Sequence, residues 1–302
     1  MPPRAETSAY SDLISNLTKA VFFRTLKSIK KMYPEIFNIE DGTLQQEKEN
    51  SISGLGILQI QKEGAPLQYD TPELGYAFTY NQVRRSLGFR ITKEMQIFDR
   101  FDVMKKMPAE LAKSVVRTVE VVAANVFNLG TSTSMLTGGD GQPLFSTAHP
   151  MRYGGTQANM PATPGDLSVT TLREMLLMFD DWVDHKGNDA DIECREIWVP
   201  KENRFKLYEL LKSAQKPETA NNEINAFKDE NIVGKVWKRL TDPDCFIGLA
   251  SKQDHKLKLK WKLKGDPQQE TDFDTGDYKV KDEIIFAIGF TDWLGVAYNP
   301  GA

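Results

Sequence analysis

The sequence is poor in the residues that build covalent and metal frameworks, with two cysteines and three histidines among 302 residues. Cys194 and Cys245 do not form a CxxC pair, and no histidine stands at metal-ligand spacing. Neither a disulfide framework nor a zinc site is therefore indicated. We expect both cysteines to pack in the core, and we expect the protein to need no cofactor.

Long hydrophobic runs and an excess of positive charge are also absent. No run approaches the roughly 20 apolar residues of a membrane span, and the first residues lack the apolar core of a signal peptide. We expect synthesis in the cytosol and no membrane partner. Lys and Arg number 38 against 42 Asp and Glu, a formal net charge of −4, which gives no general footprint for nucleic acid. If the protein encloses DNA, it does so without binding it tightly.

The sequence does contain one long segment of helical periodicity, residues 107–129. Its apolar side chains recur at spacings of three and four, which predicts an amphipathic helix of roughly 30 Å with one buried stripe. We expect Pro108 in the first turn and a left-handed Gly130 at the end, and we expect Glu120 on the outer side. The stripe comprises Leu111, Val115, Val119, Val122, Val126 and Leu129.

Residues 1–52 form a polar, charged leader with one basic amphipathic piece at residues 10–33. Pro34 is predicted to terminate that piece, and residues 45–50 are predicted to be a polar hinge. Two interpretations stay open for the leader. It is either an interaction arm that packs on a neighbouring subunit or a solvated helix with a loose terminus.

A period of two begins after residue 54. Leu58 and Ile60 alternate with glutamines, and three aromatic residues recur at every second position, which predicts two strands. Gly and Pro punctuate the middle, so residues 54–92 are predicted to form a long ribbon with an irregular tip. Since a two-stranded ribbon is marginal in water by itself, we expect another subunit to pin it. The aromatic residues are Tyr76, Phe78 and Tyr80.

The second half of the chain mixes short helices and strands. Residues 131–167 are rich in Gly, Ser, Thr and Pro, a composition typical of a functional or mobile loop at this length. Residues 256–264 alternate Lys with Leu or Trp, which predicts a strand whose charged face is either a contact surface or a solvated edge. Helices are predicted at residues 168–185 and 201–213, and strands at residues 196–200, 232–237, 245–249 and within 279–299.

Two motifs suggest an enzyme. Asp274 begins a DTG triplet like that of aspartic proteases, but Asp277 follows the glycine where Ser or Ala is expected, and the chain ends too soon to complete such a lobe. Ser146, His149 and Asp140 are the residue types of a hydrolase triad, but they crowd one loop and lack the GxSxG elbow. We favour coincidence in both cases.

One acidic stretch has part of the spacing of a calcium loop. Asp272, Asp274 and Asp277 could hold a hard cation, and Glu283 stands where the bidentate carboxylate is expected. Gly276 stands where a side-chain ligand is needed, and the position that requires glycine is occupied by aspartate. The sequence therefore predicts a surface turn leading into a strand.

A series of motifs in the right order supplies a resemblance. LFSTAHP at residues 144–150, preceded by GGDGQ and followed by GGTQANM, resembles a loop found in many tailed-bacteriophage major capsid proteins, including the Mu-like head subunits. The resemblance covers about residues 54–299. Further matching segments are residues 88–95, 121–128, 219–227, 240–249, 273–281 and 291–298.

The resemblance implies an α+β chain with the fold named after phage Hong Kong 97. That fold has an N-terminal arm, an extended two-stranded loop, a peripheral domain with a long spine helix, and an axial domain. The corresponding parts here are an arm at 1–52, an extended loop at 53–93, the peripheral domain with its spine at 94–130, the axial domain at 131–254 and the peripheral return strands at 255–302.

The resemblance also implies a structural protein and not an enzyme. Copies would assemble in the host cytoplasm into hexamers and pentamers of an icosahedral head, part of the virion, that encloses double-stranded DNA without specific binding. Portal and scaffolding proteins, and in some heads decoration proteins, are the other implied partners. Residues expected at contacts between subunits are Lys62, Glu63, Tyr69, Tyr76, Arg84, Arg85, Lys27 and Lys30.

Some members of the fold join subunits covalently through a lysine of the extended loop and an asparagine. Lys62 lies near the tip of this loop, but no partner asparagine is indicated. Other members lose an N-terminal scaffold segment, whereas the arm here starts close to Met1, so we expect a separate scaffolding protein. Two alternatives stay open: an encapsulin-like cellular compartment shell, and a soluble hydrolase using Asp274 or Ser146.

Overall fold

The computed structural model describes residues 7–64, 66–67, 69–72, 74–98, 102–213 and 224–302, with side chains from residue 16 onward. The described chain is an α+β structure of helices packed on two main sheets. The helices are α1 (Thr7–Ser28), α2 (Tyr33–Ile36), α3 (Lys93–Ile97), α4 (Val103–Asn128), α5 (Val169–Asp180) and α6 (Arg204–Lys212). The strands are β1 (Asn38–Asp41), β2 (Gln46–Ile52), β3 (Leu74–Asn81), β4 (Val83–Ile91), β5 (His149–Pro150), β6 (Thr156–Gln157), β7 (Glu196–Val199), β8 (Val233–Val236), β9 (Phe246–Leu249), β10 (Leu257–Leu263), β11 (Gln268–Thr271), β12 (Tyr278–Phe290) and β13 (Val296–Asn299).

The predicted spine is helix α4, which begins four residues earlier than expected. Pro108 therefore lies inside the helix and not in its first turn, so that prediction is wrong. Gly130 follows the helix but does not adopt a left-handed conformation, so that prediction is also wrong. Glycine is needed there because a Cβ would lie 2.6 Å from the ring of Phe145.

Glu120 lies on the buried side of the spine, contrary to expectation, with 6% of its surface exposed. Its Oε1 accepts the backbone N–H groups of Met32 at 2.5 Å and Tyr33 at 3.1 Å, and its Oε2 accepts the indole N–H of Trp237 at 3.0 Å. A buried carboxylate is tolerated when donors satisfy it. Glu120 thereby joins the end of the arm and the segment after β8 to the spine.

The arm packs on its own subunit over the side chains that the structure describes. Phe22 of α1 is fully buried against the spine residues Leu111 and Ala112. Leu17 of the same helix, in contrast, is 41% exposed. Pro34 stands in the first turn of the short helix α2, so the expectation that it terminates a helix is wrong.

The 13-residue strand β12 is the centre of the sheet beside the spine. Strand β4 pairs with it along one edge, and β11 and β10 pair along the other, all antiparallel. Strand β1 adds to β10 in parallel. Apolar side chains of β10 and β12 pack with the buried face of α4, so the spine and this sheet share a core.

The strand predicted from Tyr76, Phe78 and Tyr80 is confirmed as β3, but the ribbon differs from its sequence-based prediction in the other strand. Gln46–Ile52, expected to include a hinge, is strand β2 and pairs antiparallel with β3, so the hinge prediction is wrong. No strand occurs among the described residues between β2 and β3, so the strand predicted around Leu58 and Ile60 is wrong too. Those side chains, Leu58 and Ile60, are 96% and 98% exposed.

The second main sheet has the strand order β13-β9-β7-β8 and is flanked by α5 and α6. The helices and strands predicted here from the sequence are confirmed, and Leu172, Met175 and Phe179 of α5 are buried. Cys194 and Cys245 are buried free thiols, and burial raises the pKa of each to about 12. No helix in the described ranges has the length and hydropathy of a membrane span.

Replacing Glu120 tests its role in joining three segments. Glu120→Ala leaves two backbone N–H groups and an indole N–H without their acceptor, so we expect the free energy of unfolding to fall by about 3 kcal/mol. Chemical denaturation of the unassembled protein measures this. The control is Glu110→Ala on the exposed side of the same helix, which loses only a surface pair with Lys113 and should change stability by less than about 1 kcal/mol. Equal effects of the two substitutions would contradict the role.

Candidate assembly surfaces

A cluster of buried charges lies where the ribbon meets the sheet. Lys260 of β10 has a side chain only 5% exposed, and its ammonium contacts Glu49 and lies 2.9 Å from the Oε2 of Glu47. Neighbouring Lys258 lies 2.9 Å from both Glu40 of β1 and Glu49 of β2. Strands β1 and β2 are therefore held to β10, which lies about 200 residues later in the chain, by two ammonium groups. We call these five residues the lysine clamp.

The clamp shifts the ionisation of its members toward the charged forms. The hydrogen bond from Lys260 and backbone N–H groups lower the pKa of Glu47 to about 2. The pKa of Glu49 is also lowered, because two lysine partners outweigh its desolvation. The pKa values of Lys258 and Lys260 are raised by their carboxylate partners, despite burial. Glu47, Glu49, Lys258 and Lys260 are thus charged at neutral pH.

Aromatic and hydroxyl groups extend the clamp. The phenol of Tyr80 on β3 is 2.9 Å from the Oγ1 of Thr291, and Thr291 donates to Glu49 at 3.2 Å. The Lys260 ammonium lies 4.8 Å from the centre of the Tyr80 ring, a cation–π distance. Both ribbon strands are therefore fixed to the end of β12.

A second contact fixes the far end of the ribbon to the loop after α5. Lys186 lies 2.6 Å from the Oδ2 of Asp70 and donates to the carbonyl of Thr71 at 2.9 Å. The Lys186 hydrogen bond lowers the pKa of Asp70 to about 2. His185 contacts Asp292 at 3.2 Å and Ser51 at 3.4 Å, and the Asp292 bond raises its pKa. The base of the extended loop is thus held on both sides.

Between these anchors the loop presents apolar side chains to solvent. The backbone runs from the end of β2 to the start of β3 without strand or helix in its described part. Large exposed apolar patches on soluble chains usually mark interaction sites. The exposed apolar residues are Ile52, Leu55, Ile57, Leu58, Ile60, Leu67, Tyr69 and Leu74, from 60% to 98% exposed.

The residues expected at contacts between subunits divide into free and engaged groups. Lys62, Glu63 and Tyr69 are exposed on the extended loop. Five others have partners or neighbours within the subunit, or lie on the arm. Tyr76 lies beneath the Arg152 guanidinium, and Arg85 lies over the ring of Phe286. Arg84 pairs with Glu283 at 2.6 Å. Lys27 and Lys30 are exposed on the arm.

The lysine clamp was missed at the sequence level, although a signal for it exists. Glu47 and Glu49 alternate in a stretch interpreted as a hinge, and Lys258 and Lys260 alternate in β10. Two period-two runs of opposite charge are typical of strands that face each other. The sequence left open whether the charged face of β10 is a contact surface or a solvated edge. At Lys260 it is neither, because carboxylates of β2 cover the ammonium group.

Only part of the hydrolase triad assembles. His149 is fully buried, and its Nδ1 lies 2.7 Å from Asp140, but its Nε2 faces the amide oxygen of Asn159 at 3.2 Å. Ser146 bonds instead to Gln142 and to the N–H of Ala148. No bond between Ser146 and His149 occurs among the described hydrogen bonds, so the serine has no base beside it.

This polar cluster explains what the LFSTAHP segment does. The Asn159 amide donates to the carbonyls of Leu144 at 2.7 Å and Val296 at 3.0 Å, and accepts the N–H of Ser146 at 2.9 Å. Phe145 stacks on Tyr298 of β13 at 4.5 Å. The segment thus joins the loop after the spine to the last strand.

The acidic stretch is a turn, as predicted. Asp272 accepts N–H groups of its own turn and pairs with Lys279 at 2.6 Å, and Gly276 takes a left-handed conformation. Glu283 pairs with Arg84 instead of joining the aspartates. In the part of the chain that the structure describes, no group of three acidic, histidine or cysteine residues could hold a metal.

The chain is similar to known proteins in sequence family and in fold. A family model described as phage capsid protein matches residues 76–299, which is more than half of the chain. A search of curated proteins finds no match.

Solved structures share the fold at low sequence identity. The capsid of cyanophage P-SCSP1u has a TM-score of 0.61 at 10% identity, with 90% of this chain and 88% of that chain covered. A Microbacterium phage Oxtober96 chain gives 0.56 at 8% identity, covering 91% and 92%. The virus-like particle from Pyrococcus furiosus gives 0.55 at 10% identity, covering 93% and 97%. The Hong Kong 97-like fold expected from the sequence is confirmed.

Removing the Lys260 ammonium tests the clamp. Lys260→Met leaves Glu47 without its ammonium partner and leaves Glu49 with Lys258 alone, so we expect faster hydrogen exchange across β2 and a loss of about 3 kcal/mol in stability. The control is Lys264→Met at the exposed end of the same stretch, which pairs only with exposed Asp41. If β2 exchanges equally fast in both variants, the clamp does not hold the ribbon.

The lowered pKa of Glu47 predicts a pH dependence. The carboxylate has a folded pKa of about 2 against an ordinary value of 4.5, so its contribution to stability is present above pH 4.5 and is lost as the pH falls toward 2. Denaturant titrations across this range should show a steeper loss for the parent than for Glu47→Gln. Parallel curves for the two proteins would count against the clamp.

Proposed function

The chain belongs to the phage capsid protein family, and from this we propose that its copies associate as hexamers and pentamers that close an icosahedral head around double-stranded DNA. The protein is a structural component of the virion capsid shell and not an enzyme. Its assembly with itself is the function of the family. What we propose is the arrangement of the copies as hexamers and pentamers in a closed head, and the surfaces that form it.

The observation that carries the proposal is the anchored, apolar extended loop. A free loop of this composition would ordinarily collapse onto its own subunit, yet Leu58 and Ile60 are almost fully exposed. Their anchors on both sides are ion pairs and hydrogen bonds, which position the base and leave the tip outside. We infer that the loop lies on the adjacent subunit of the same capsomer and buries these side chains there.

Repetition of that contact supports ring formation. The loop and the surface that receives it are different parts of one subunit, so the interface is heterologous, and heterologous contacts close into rings when the rotation allows. Burial of several large apolar side chains at about 1.5 to 3 kcal/mol each gives a substantial driving force before the entropy of association is subtracted. Six or five copies then form one capsomer.

Other partners belong to the proposal as well. We propose a portal protein at one vertex, a separate scaffolding protein during assembly, and decoration proteins in heads that use them. Packaged DNA is enclosed without specific binding, in accord with a net charge of −4. The ordered motifs of the sequence favour the Mu-like head subunits as the subtype, and the match to phage capsid proteins favours a phage head over a cellular compartment.

Substitution in the loop tests the proposed contact. Leu58→Ser with Ile60→Ser should leave the thermal stability of the isolated subunit unchanged, because both side chains are exposed in it. We expect the variant to sediment as subunits or small oligomers under conditions in which the parent forms capsomers or shells. The control is Leu44→Ser, which removes a 62% exposed side chain outside the loop. Normal shells from the double variant would contradict the proposal.

A further inference from the structure

A basic cleft lies between the arm, the spine and the segment after β8. It has a volume of about 550 Å³. Five cationic side chains surround it, and half-buried apolar side chains lie among them. We call the following set the basic cleft: Lys30, Lys113, Arg117, Lys238 and Arg239 as cations, with Ile29, Met32, Val116, Val236, Trp237 and Glu120 as the other lining residues.

Four of these five cations form no salt bridge with a carboxylate that the structure describes. Lys113 pairs with Glu110 at 2.6 Å. Lys30, Arg117, Lys238 and Arg239 are exposed, and no described carboxylate forms a salt bridge with any of them. The chain as a whole has more acidic than basic residues, so this group of cations without salt bridges is a local excess of positive charge. Such a concentration of one charge attracts an anionic partner.

The carboxylate inside the cleft does not neutralise these cations. Glu120 is buried, and its two oxygens already accept N–H groups of Met32, Tyr33 and Trp237. One carboxylate that forms no salt bridge with them stands against five cationic side chains, so the outer part of the cleft keeps an excess of positive charge.

The shape and lining of the cleft favour a peptide over a nucleic acid duplex. Its volume is in the range of pockets that admit side chains or small ligands, which a rigid duplex cannot enter. Ile29, Met32 and Val236 are half-buried and offer apolar contact that a phosphate backbone cannot use. Exposed cations around an apolar floor complement a segment with carboxylates beside apolar side chains.

We propose that the basic cleft binds an acidic, amphipathic peptide segment of a partner protein. The inference rests on the proposed function, in which proteins other than the shell subunit guide assembly or bind the shell. The carboxylates of the segment pair with Arg117 and Lys238, and its apolar side chains lie on the floor. The contact also stabilises the end of the arm, because Lys30 and Met32 line the same cleft.

Binding of synthetic peptides to the full-length protein tests the proposal. The probe is a fluorescein-labelled peptide of Glu and Leu in helical amphipathic order, followed by fluorescence anisotropy at low and physiological salt. Comparison probes are the same peptide with Leu replaced by Ser, the same peptide with Glu replaced by Lys, and a short labelled DNA duplex. We expect the Glu and Leu peptide to bind most tightly, and its affinity to fall with salt.

Charge reversal locates the binding. Arg117→Glu with Lys238→Glu should weaken the Glu and Leu peptide about tenfold or more, since two attractive pairs become repulsive. Lys106→Glu, on the same helix but outside the cleft, should bind like the parent. If the double reversal does not fold by circular dichroism, Arg117→Gln with Lys238→Gln replaces it, with a smaller loss in the same direction.

Three outcomes overturn the proposal. They are absence of peptide binding, peptide binding that the cleft variants do not weaken, and tighter binding of the duplex than of the peptide through the same residues.

Electron microscopy of the same samples separates this inference from the assembly role. Normal shells without peptide binding contradict only the cleft, whereas peptide binding without any assembly contradicts only the proposed form of the shell.

Discussion

Burial of the Lys260 ammonium is the constraint on which the extended loop depends. A buried cation is costly unless carboxylates surround it, and those carboxylates come from β2, a strand that the hydrophobic pattern of the chain does not demand. The charge therefore requires Gln46–Ile52 to lie on the sheet, and β3 follows through the ladder between them. Polar matching of β2, together with burial of Phe78 and Tyr80 of β3 against β12, decides where the loop leaves the subunit.

The Glu120 carboxylate performs the corresponding role on the spine itself. It satisfies donors from the arm and from the segment after β8, so one buried side chain positions two chain segments that are far apart in sequence. Between these two charged centres lies an ordinary apolar core of α4, β10 and β12. Rigid bases and exposed loops are what a subunit needs if it is to meet many copies of itself at fixed angles.

Sequence reasoning found the parts governed by apolar periodicity, namely the spine, helix α5 and strands β7 and β10. It failed where a partner distant in sequence decides the structure. Gln46–Ile52 has the composition of a hinge until Lys260 is placed beside it, and Glu120 is typical of a solvated face until three donors reach it. Leu58 and Ile60 have the pattern of a strand, yet no strand among the described residues pairs with them. The ordered motifs identified the fold, but no local pattern located the anchors of the loop.

The measurement that tests the account most directly is an electron cryomicroscopy structure of the assembled particle, at a resolution that shows side chains. The account predicts a closed shell in which residues 53–72 lie on the neighbouring subunit, with Leu58 and Ile60 buried there and the lysine clamp unchanged. A particle in which those residues fold back on their own subunit, or a protein that stays monomeric even with its scaffolding protein, would contradict the account.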